Sequence, residues 1–211
     1  MLKSKQDLSN REQIIDAASQ LAGWGLLPAT SGNLSMRNDQ AITITVSGKH
    51  KAHLTTEDFL EIDLEGKAID SSGKKPSAET LLHTQLYKFF PETQAVFHVH
   101  SPASVIISKY LGANKELRLE NYELLKALSG IETHAHIEVL PIFANTQNIR
   151  LLAEEVKQFL QVKSDIHAYL IEGHGLYSWG RSAAEVVRQI EALEVLMNCE
   201  LELIKLNKGI H

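Results

Sequence analysis

A three-layer α/β fold, with a mostly antiparallel central sheet flanked by helices, is what this sequence predicts. Strand-like and helix-like segments are mixed along the chain. Neighbouring strand-like segments are often separated by only a few turn residues, which joins them as antiparallel pairs, because parallel strands need long crossovers. No Pro/Gly/Ser-rich linker, low-complexity tract or fixed-period repeat divides residues 1–211, which read as a single domain.

Ser9 or Asn10 can cap a first helix running to about Gly23, with Ile14, Ile15, Ala18, Leu21 and Ala22 on one face. Residues 34–37 and 41–46 read as a hairpin turning at Asn38-Asp39. Residues 59–63 and 67–70 read as a second strand pair around Glu65-Gly66. Pro76 sits just before a helix over 77–89. Residues 95–100 form a strand, and Ser101-Pro102 opens a helix to about Tyr110. A short helix is expected over 120–128 and a strand over 137–142. Within 146–159, Ile149, Leu152, Val156 and Phe159 recur at helical spacing. Strands over 167–171 and 176–179 flank Gly173-His174-Gly175. Ser182 and Glu185 have capping-box spacing and start a long final helix to about Leu206.

The chain has 211 residues, 44% hydrophobic and 22% charged, enough to bury a core without disulfides or a structural metal. A bound metal is therefore expected to serve chemistry rather than folding. The net charge is −5 and the lysines and arginines are scattered, so the basic stripe of a nucleic-acid binder is missing. No run approaches the ~18 apolar residues of a membrane span, and residues 1–10 are too polar for a signal peptide. A cytoplasmic protein with neither membrane nor nucleic acid as partner is expected. Cys199, the one cysteine, sits among Leu196, Met197 and Leu201 and reads as a small core residue. It allows no disulfide framework and no cysteine-based zinc site.

Histidine spacing is the sharpest chemical signal. In His98-Val99-His100 the two imidazoles lie at i and i+2 of a strand and project from one face. Imidazole nitrogen suits zinc and similar divalent ions. His134-Ala135-His136 has the same spacing, and periodicity alone does not choose between the pairs. His174, between two glycines, is a third ligand candidate, since glycine permits close backbone approach. Thr30-Ser31-Gly32-Asn33, Ser47-Gly48-Lys49 and Ser71-Ser72-Gly73-Lys74 lie at strand boundaries and can form anion-binding loops from backbone N–H groups, though none is a P-loop. Glu79 falls in the first turn of its expected helix, where a carboxylate ordinarily serves the helix dipole. Glu123 falls on a helix face that would ordinarily be solvated. Either could carry a proton if burial raised its pKa.

Taken in order, Thr30-Ser31-Gly32-Asn33-Leu34-Ser35, Ser47-Gly48, Ser71-Ser72, Pro76-Ser77-Ala78-Glu79, His98-Val99-His100-Ser101 and Gly173-His174-Gly175 with Trp179-Gly180 form a set. That set resembles the class II aldolase/adducin family over about residues 10–205. The resemblance implies one Zn2+ per subunit on His98, His100 and His174, and so decides against His134 and His136 as ligands. It implies a phosphate site from Asn33, Ser47, Gly48, Ser71 and Ser72, and a small phosphorylated keto-sugar substrate. It also implies a homotetramer with active sites between subunits.

The runs Gly173 to Gly180, Glu120 to Lys126 and Thr133 to His136 are most similar to the branch of the family that dehydrates 5-methylthioribulose 1-phosphate in methionine salvage. In that branch the place of Glu123 is that of an acid/base, and in the aldolases the place of Glu79 is that of the metal-linked base. Both residues are present, so the division of labour between them stays open. Animal-type members of the branch carry a substrate-contacting cysteine where this chain has Ala78. The alternatives are a class II sugar-phosphate aldolase or 4-epimerase of the fuculose or ribulose phosphate type, and a non-enzymatic adducin-like binding domain.

Overall fold

A computed structural model describes residues 5–38, 41–69, 73–113 and 115–209, with side chains from Asn10 onward. The strands are β1 (Asn33–Asn38), β2 (Ala41–Thr45), β3 (Phe59–Ile62), β4 (Ala95–Val99), β5 (Glu116–Glu120), β6 (Ile137–Phe143), β7 (Ala168–Ile171) and β8 (Gly175–Gly180). The helices are α1 (Lys5–Gly23), α2 (Thr80–Phe89), α3 (Pro102–Leu111), α4 (Ile149–Val162) and α5 (Ala183–Asn207). All eight strands form one sheet in the order β3-β2-β1-β4-β8-β7-β6-β5. Only β6 and β7 run parallel; the other neighbours are antiparallel. The predicted architecture is therefore the observed one.

Two apolar layers hold the helices to the sheet. On one face Ile14, Ala18 and Leu21 of α1, Ile107 of α3, and Val186, Ile190 and Leu193 of α5 meet Phe97, Val99 and Leu176. On the other, Leu82 and Leu86 of α2 and Leu152, Val156 and Leu160 of α4 meet Val96, Tyr169 and Tyr177. Each side chain of this size contributes about 1.5–3 kcal/mol when withdrawn from water. Among the described residues no helix is long and apolar enough to cross a membrane.

Several boundaries differ from the sequence-based expectation. Helix α1 begins at Lys5, so Asn10 is not a cap; its amide donates to the Arg37 carbonyl at 2.8 Å and ties α1 to β1. Of the second strand pair only β3 is a strand, and Ala68 makes an isolated bridge to Ile62. There the Asp63 carboxylate accepts from the N–H groups of Glu65 and Lys67, which closes a turn instead of extending a ladder. The short helix expected over 120–128 is a 3-10 helix over Glu123–Ala127, and strand β5 before it falls in a stretch to which the sequence assigned no element. In β5 Leu117 and Leu119 are buried and Glu116, Arg118 and Glu120 exposed, the period of two of a strand paired with β6. Asn121, at φ 63, separates the two pieces. Helix α2 starts at Thr80 rather than Ser77. Cys199 is only half-buried on α5, rather than in the core. The turn at Asp39 and the residues Asp70, Ser71 and Ser72 lie outside the described residues.

Candidate functional site

Register across three central strands builds the site floor. His98 on β4 pairs with Asn33 of β1 on one side and with Tyr177 of β8 on the other. Directly paired residues in an antiparallel ladder point to the same face. On β4 the apolar side chains of Ala95, Phe97 and Val99 fill the core under α1, α3 and α5, so His98 points to the opposite face. Two glycines let the chain close around this strand end. A Cβ on Gly175 would lie 2.1 Å from the Val99 carbonyl oxygen, and one on Gly32 would lie 2.6 Å from the His98 carbonyl oxygen.

The Nε2 atoms of His98 and His100 lie 2.9 Å apart, and those of His98 and His174 lie 3.4 Å apart. His98 Nδ1–H donates to the Leu176 carbonyl at 3.0 Å, which leaves its Nε2 lone pair facing the other two rings. Burial, reinforced by the neighbouring rings, lowers the pKa of His98 to about 3 and of His100 to about 4. Both imidazoles are thus neutral at neutral pH, the ligand form. Converging lone pairs suit a cation. A tetrahedral ion with bonds of about 2.0–2.1 Å sets its nitrogens ~3.3–3.4 Å apart, close to the spacing here. Among the described residues this is the one group of three or more His, Cys, Asp or Glu close enough to hold an ion. His134 is exposed, and His136 bonds the buried Glu138 at 3.0 Å, so neither joins it.

Glu79 completes the cluster. Its carboxylate lies 3.1 Å from His174 Nε2 and 3.4 Å from His98 Nε2. Because α2 starts at Thr80, Glu79 occupies the capping position but makes no cap bond with its side chain, which turns instead toward the histidines. Oε2 accepts from Asn33 Nδ2 at 2.8 Å and from the Tyr177 hydroxyl at 2.9 Å. Burial favours its neutral form, but attraction to the imidazoles of His98 and His174 in their protonated forms, with the hydrogen bond from Asn33, outweighs this and holds the carboxyl well below the usual carboxylate range. Burial and the Glu79 charge push the Tyr177 phenol well above its ordinary value, so it stays a donor.

Behind Asn33 runs a buried relay. His83, fully buried and lowered to about 4 by that burial, bonds Asn33 Oδ1 through Nε2 and Ser35 Oγ through Nδ1, the latter at 2.7 Å. Ser35 Oγ in turn contacts the Tyr87 hydroxyl at 2.9 Å. Since the Asn33 oxygen can only accept, Nε2 carries the His83 proton and the Asn33 amide is left to donate to Glu79. Tyr177 and His83 are absent from the sequence-based site residues, and Ser35 enters only within the family motif, because the role of Tyr177 depends on sheet register and those of His83 and Ser35 on how α2 docks against β1.

His100, His174 and Glu79 open into a cleft of about 150 Å³ that is also lined by Thr30, Asn33, Ser47, Gly48 and Lys51. Three phosphate candidates therefore share the cleft with two of the three histidines. Glu123 does not reach it among the contacts of the described residues; exposed on its 3-10 turn, it bonds Lys126 Nζ at 2.6 Å and faces His134 Nδ1 at 3.8 Å. Those bonds, Lys126 first, lower its pKa. A larger cleft of about 660 Å³ between α2 and α4 contains none of the histidines.

The pattern described as the class II aldolase and adducin N-terminal domain matches residues 12–201. A Methylococcus capsulatus protein named methylthioribulose-1-phosphate dehydratase is 48% identical over 192 residues, covering 90% of this chain and 92% of its own. One of the same name from Xanthomonas oryzae pv. oryzae is 50% identical over 188 residues, covering 89% and 83%. Among solved structures, L-fuculose-1-phosphate aldolase from Thermus thermophilus matches with TM-score 0.75 and 26% identity over 96% of this chain and 98% of its own. YgbL from Escherichia coli, at 24% identity and TM-score 0.79 over 94% and 91%, shares the fold.

Proposed function

The chain belongs to the class II aldolase/adducin family, and on that premise we propose that it is a zinc-dependent hydro-lyase that converts 5-methylthioribulose 1-phosphate to 5-methylthio-2,3-diketopentyl 1-phosphate and water, a step of methionine salvage. The substrate follows from the relatives that bear the dehydratase name at about half identity over nine tenths of the chain. The observation that carries the chemistry is the convergence of three Nε2 atoms beside an ionised carboxylate.

His98, His100 and His174 would hold one Zn2+ per chain. When bound, the ion supplies Lewis-acid polarisation of the substrate's oxygens. The chain's own groups do the rest. The reaction takes a proton from C3 and expels hydroxide from C4; the resulting enol then takes a proton at C4 as it becomes the diketone. Glu79 is the proposed acceptor of the C3 proton, a role supported by its ionised form and by the hydrogen bonds from Asn33 and Tyr177. Ser47, Gly48 and Asn33, with Ser71 and Ser72, would receive the phosphate and set the pose of the reacting carbons.

Glu123 is the proposed second acid/base, acting from a neighbouring copy in a cytoplasmic homotetramer. Its exposure on the free chain supports that placement. So does the cleft's volume of about 150 Å³, below the ~300 Å³ of a typical small-molecule site. A second reading, a sugar-phosphate aldolase, is favoured by the likeness to the fuculose-phosphate aldolase and by Glu79 lying against the histidines. Incubating the purified protein with 5-methylthioribulose 1-phosphate, with and without a chelator, separates these. Metal-dependent diketone is expected. Its absence, with cleavage of fuculose 1-phosphate instead, would overturn the proposal in favour of the aldolase.

A further inference from the structure

Lys51 is the most unusual ionisable residue outside the histidine cluster. It lies on the short 3-10 turn Lys51–His53 and is only 2% exposed. Lysine is almost never fully buried without a paired charge. Among the described residues no carboxylate pairs with it, and the nearby Asp58 is taken by the more exposed Lys49 at 2.9 Å. Its ammonium instead donates to two carbonyl oxygens, Thr30 at 2.9 Å and Lys49 at 2.7 Å. Those two carbonyls belong to separate loops, one ending in Gly32-Asn33 and the other beginning at Ser47-Gly48. An ammonium has three protons to donate, so one remains.

That residue also lines the cleft, and it is the one lysine or arginine among the described residues that do. Gly48, beside it, has a positive φ of 78° and open space where a Cβ would stand. A cation desolvated this far without a counter-charge is costly unless an anion arrives to pair with it. Consistent with this, burial lowers its pKa to about 8. Glu79 lines the same cleft, so a dianionic group entering there needs a compensating positive charge.

We propose that Lys51 is the cation that binds the phosphate of the substrate, and that by gripping Thr30 and Lys49 it also holds together the two loops that surround that phosphate. This inference rests on the sugar-phosphate reading for its ligand, but not on the identity of the reaction. A charge-assisted hydrogen bond made in a desolvated cleft sets the phosphate end, while Glu79 and the histidines attend to the carbons.

The test uses inorganic sulfate, a tetrahedral dianion that exchanges no proton near neutrality, and the intact protein. Thermal unfolding of the wild type is expected to shift upward with sulfate. Lys51→Met is expected to lose that shift, and to raise KM for the sugar phosphate about 10- to 100-fold with a smaller change in kcat. Lys51→Arg, which keeps the charge, is expected to restore part of both. Should Lys51→Met fail to fold, the wild type labelled with ¹⁵N-lysine still decides. The Nζ resonance of Lys51, identified by its absence in Lys51→Arg, moves on sulfate addition if the ammonium contacts the anion. An unmoved Nζ signal at saturating sulfate, or an unchanged KM in folded Lys51→Met, overturns the proposal. A wild type that binds sulfate through Lys51 but dehydrates no pentulose phosphate overturns the functional reading and leaves this one standing.

Discussion

Tyr177 serves Glu79 and His98 at once: its hydroxyl donates to Glu79 Oε2 at 2.9 Å while its ring stacks on His98 with centroids 4.0 Å apart and planes 12° from parallel. One side chain thereby sets the orientation of both the carboxylate and the imidazole. Tyr177→Phe keeps the stacking and deletes the hydrogen bond. A bond to a charged group is worth about 1.5–3 kcal/mol, so kcat is expected to fall ~10- to 100-fold with metal content intact. Steady-state kinetics alongside metal analysis checks this; an unchanged kcat would remove Tyr177 from the site's machinery.

His98→Ala is expected to abolish both metal binding and activity while leaving the fold in place, because the two apolar layers do not depend on the ion. Zinc at a hundredfold excess over its dissociation constant should stabilise the wild type by about 2.7 kcal/mol, an effect lost in the variant. Emission spectroscopy and thermal unfolding with added zinc measure the two arms. Full activity in a metal-free preparation would refute the ion's role.

Glu123 offers a test of assembly. If it acts on a neighbouring copy, Glu123→Gln and His98→Ala are each inactive alone. Refolded together, they form mixed oligomers in which an intact histidine cluster faces an intact glutamate. Activity that neither variant shows separately is expected. Continued inactivity of the mixture, with mixed assembly demonstrated, would place Glu123 outside the reaction or within its own chain's site.

Gly175→Ala should destabilise the protein by ~1–3 kcal/mol, as forced overpacking does. The new Cβ meets the Val99 carbonyl at 2.1 Å, and backbone cannot swing aside as a flexible side chain would. The same push displaces the end of β4, so metal affinity is expected to fall with stability. Urea unfolding and zinc titration read the two effects; a variant as stable as the wild type would contradict the packing seen here.

The pH dependence of stability should show a buried pair far from the reaction. Glu138, 0% exposed, accepts from His167 Nδ1 at 2.9 Å, and His167 Nε2 lies 2.8 Å from the Ser129 carbonyl. Burial favours neutral Glu138, but His167 outweighs it and holds the carboxyl below its ordinary 4.5. Burial likewise opposes His167, yet Glu138 lifts it above its ordinary 6.5. The contribution of Glu138 is present above its unfolded value and is lost as pH falls through its folded value. The contribution of His167 is present below its unfolded value and is lost as pH rises through its folded value. The pair therefore stabilises most between 4.5 and 6.5. In His167→Gln the thermal midpoint should vary less with pH on both sides of that window.

Short-range pattern made much of this protein legible. The period-two strands, the cap at Ser182, whose Oγ accepts from Glu185 N–H at 3.1 Å, and the period of α4 all depend on neighbours a few residues away. The i, i+2 spacing of His98 and His100 likewise carries its geometry within one strand. Glu79 could be named as a base from the resemblance, but not its release from the first turn of α2, which depends on where the helix begins. Strand β5 was hidden because its hydrophobic alternation is only two residues deep.

Local periodicity was enough to read the layered α/β architecture and two candidate histidine pairs, and the ordered motifs, through their family resemblance, pointed to His98, His100 and His174 and to the phosphate loops. The fold supplied what motifs do not contain: the 2.9 and 3.4 Å spacings of the three Nε2 atoms, Tyr177 and Asn33 on either side of His98, and Lys51 buried with no carboxylate partner among the described residues. Those relations depend on strand order and register among segments up to 144 residues apart between Asn33 and Tyr177. Long-range register is set by the summed packing of two whole faces of the sheet, and no short stretch of chain contains that sum.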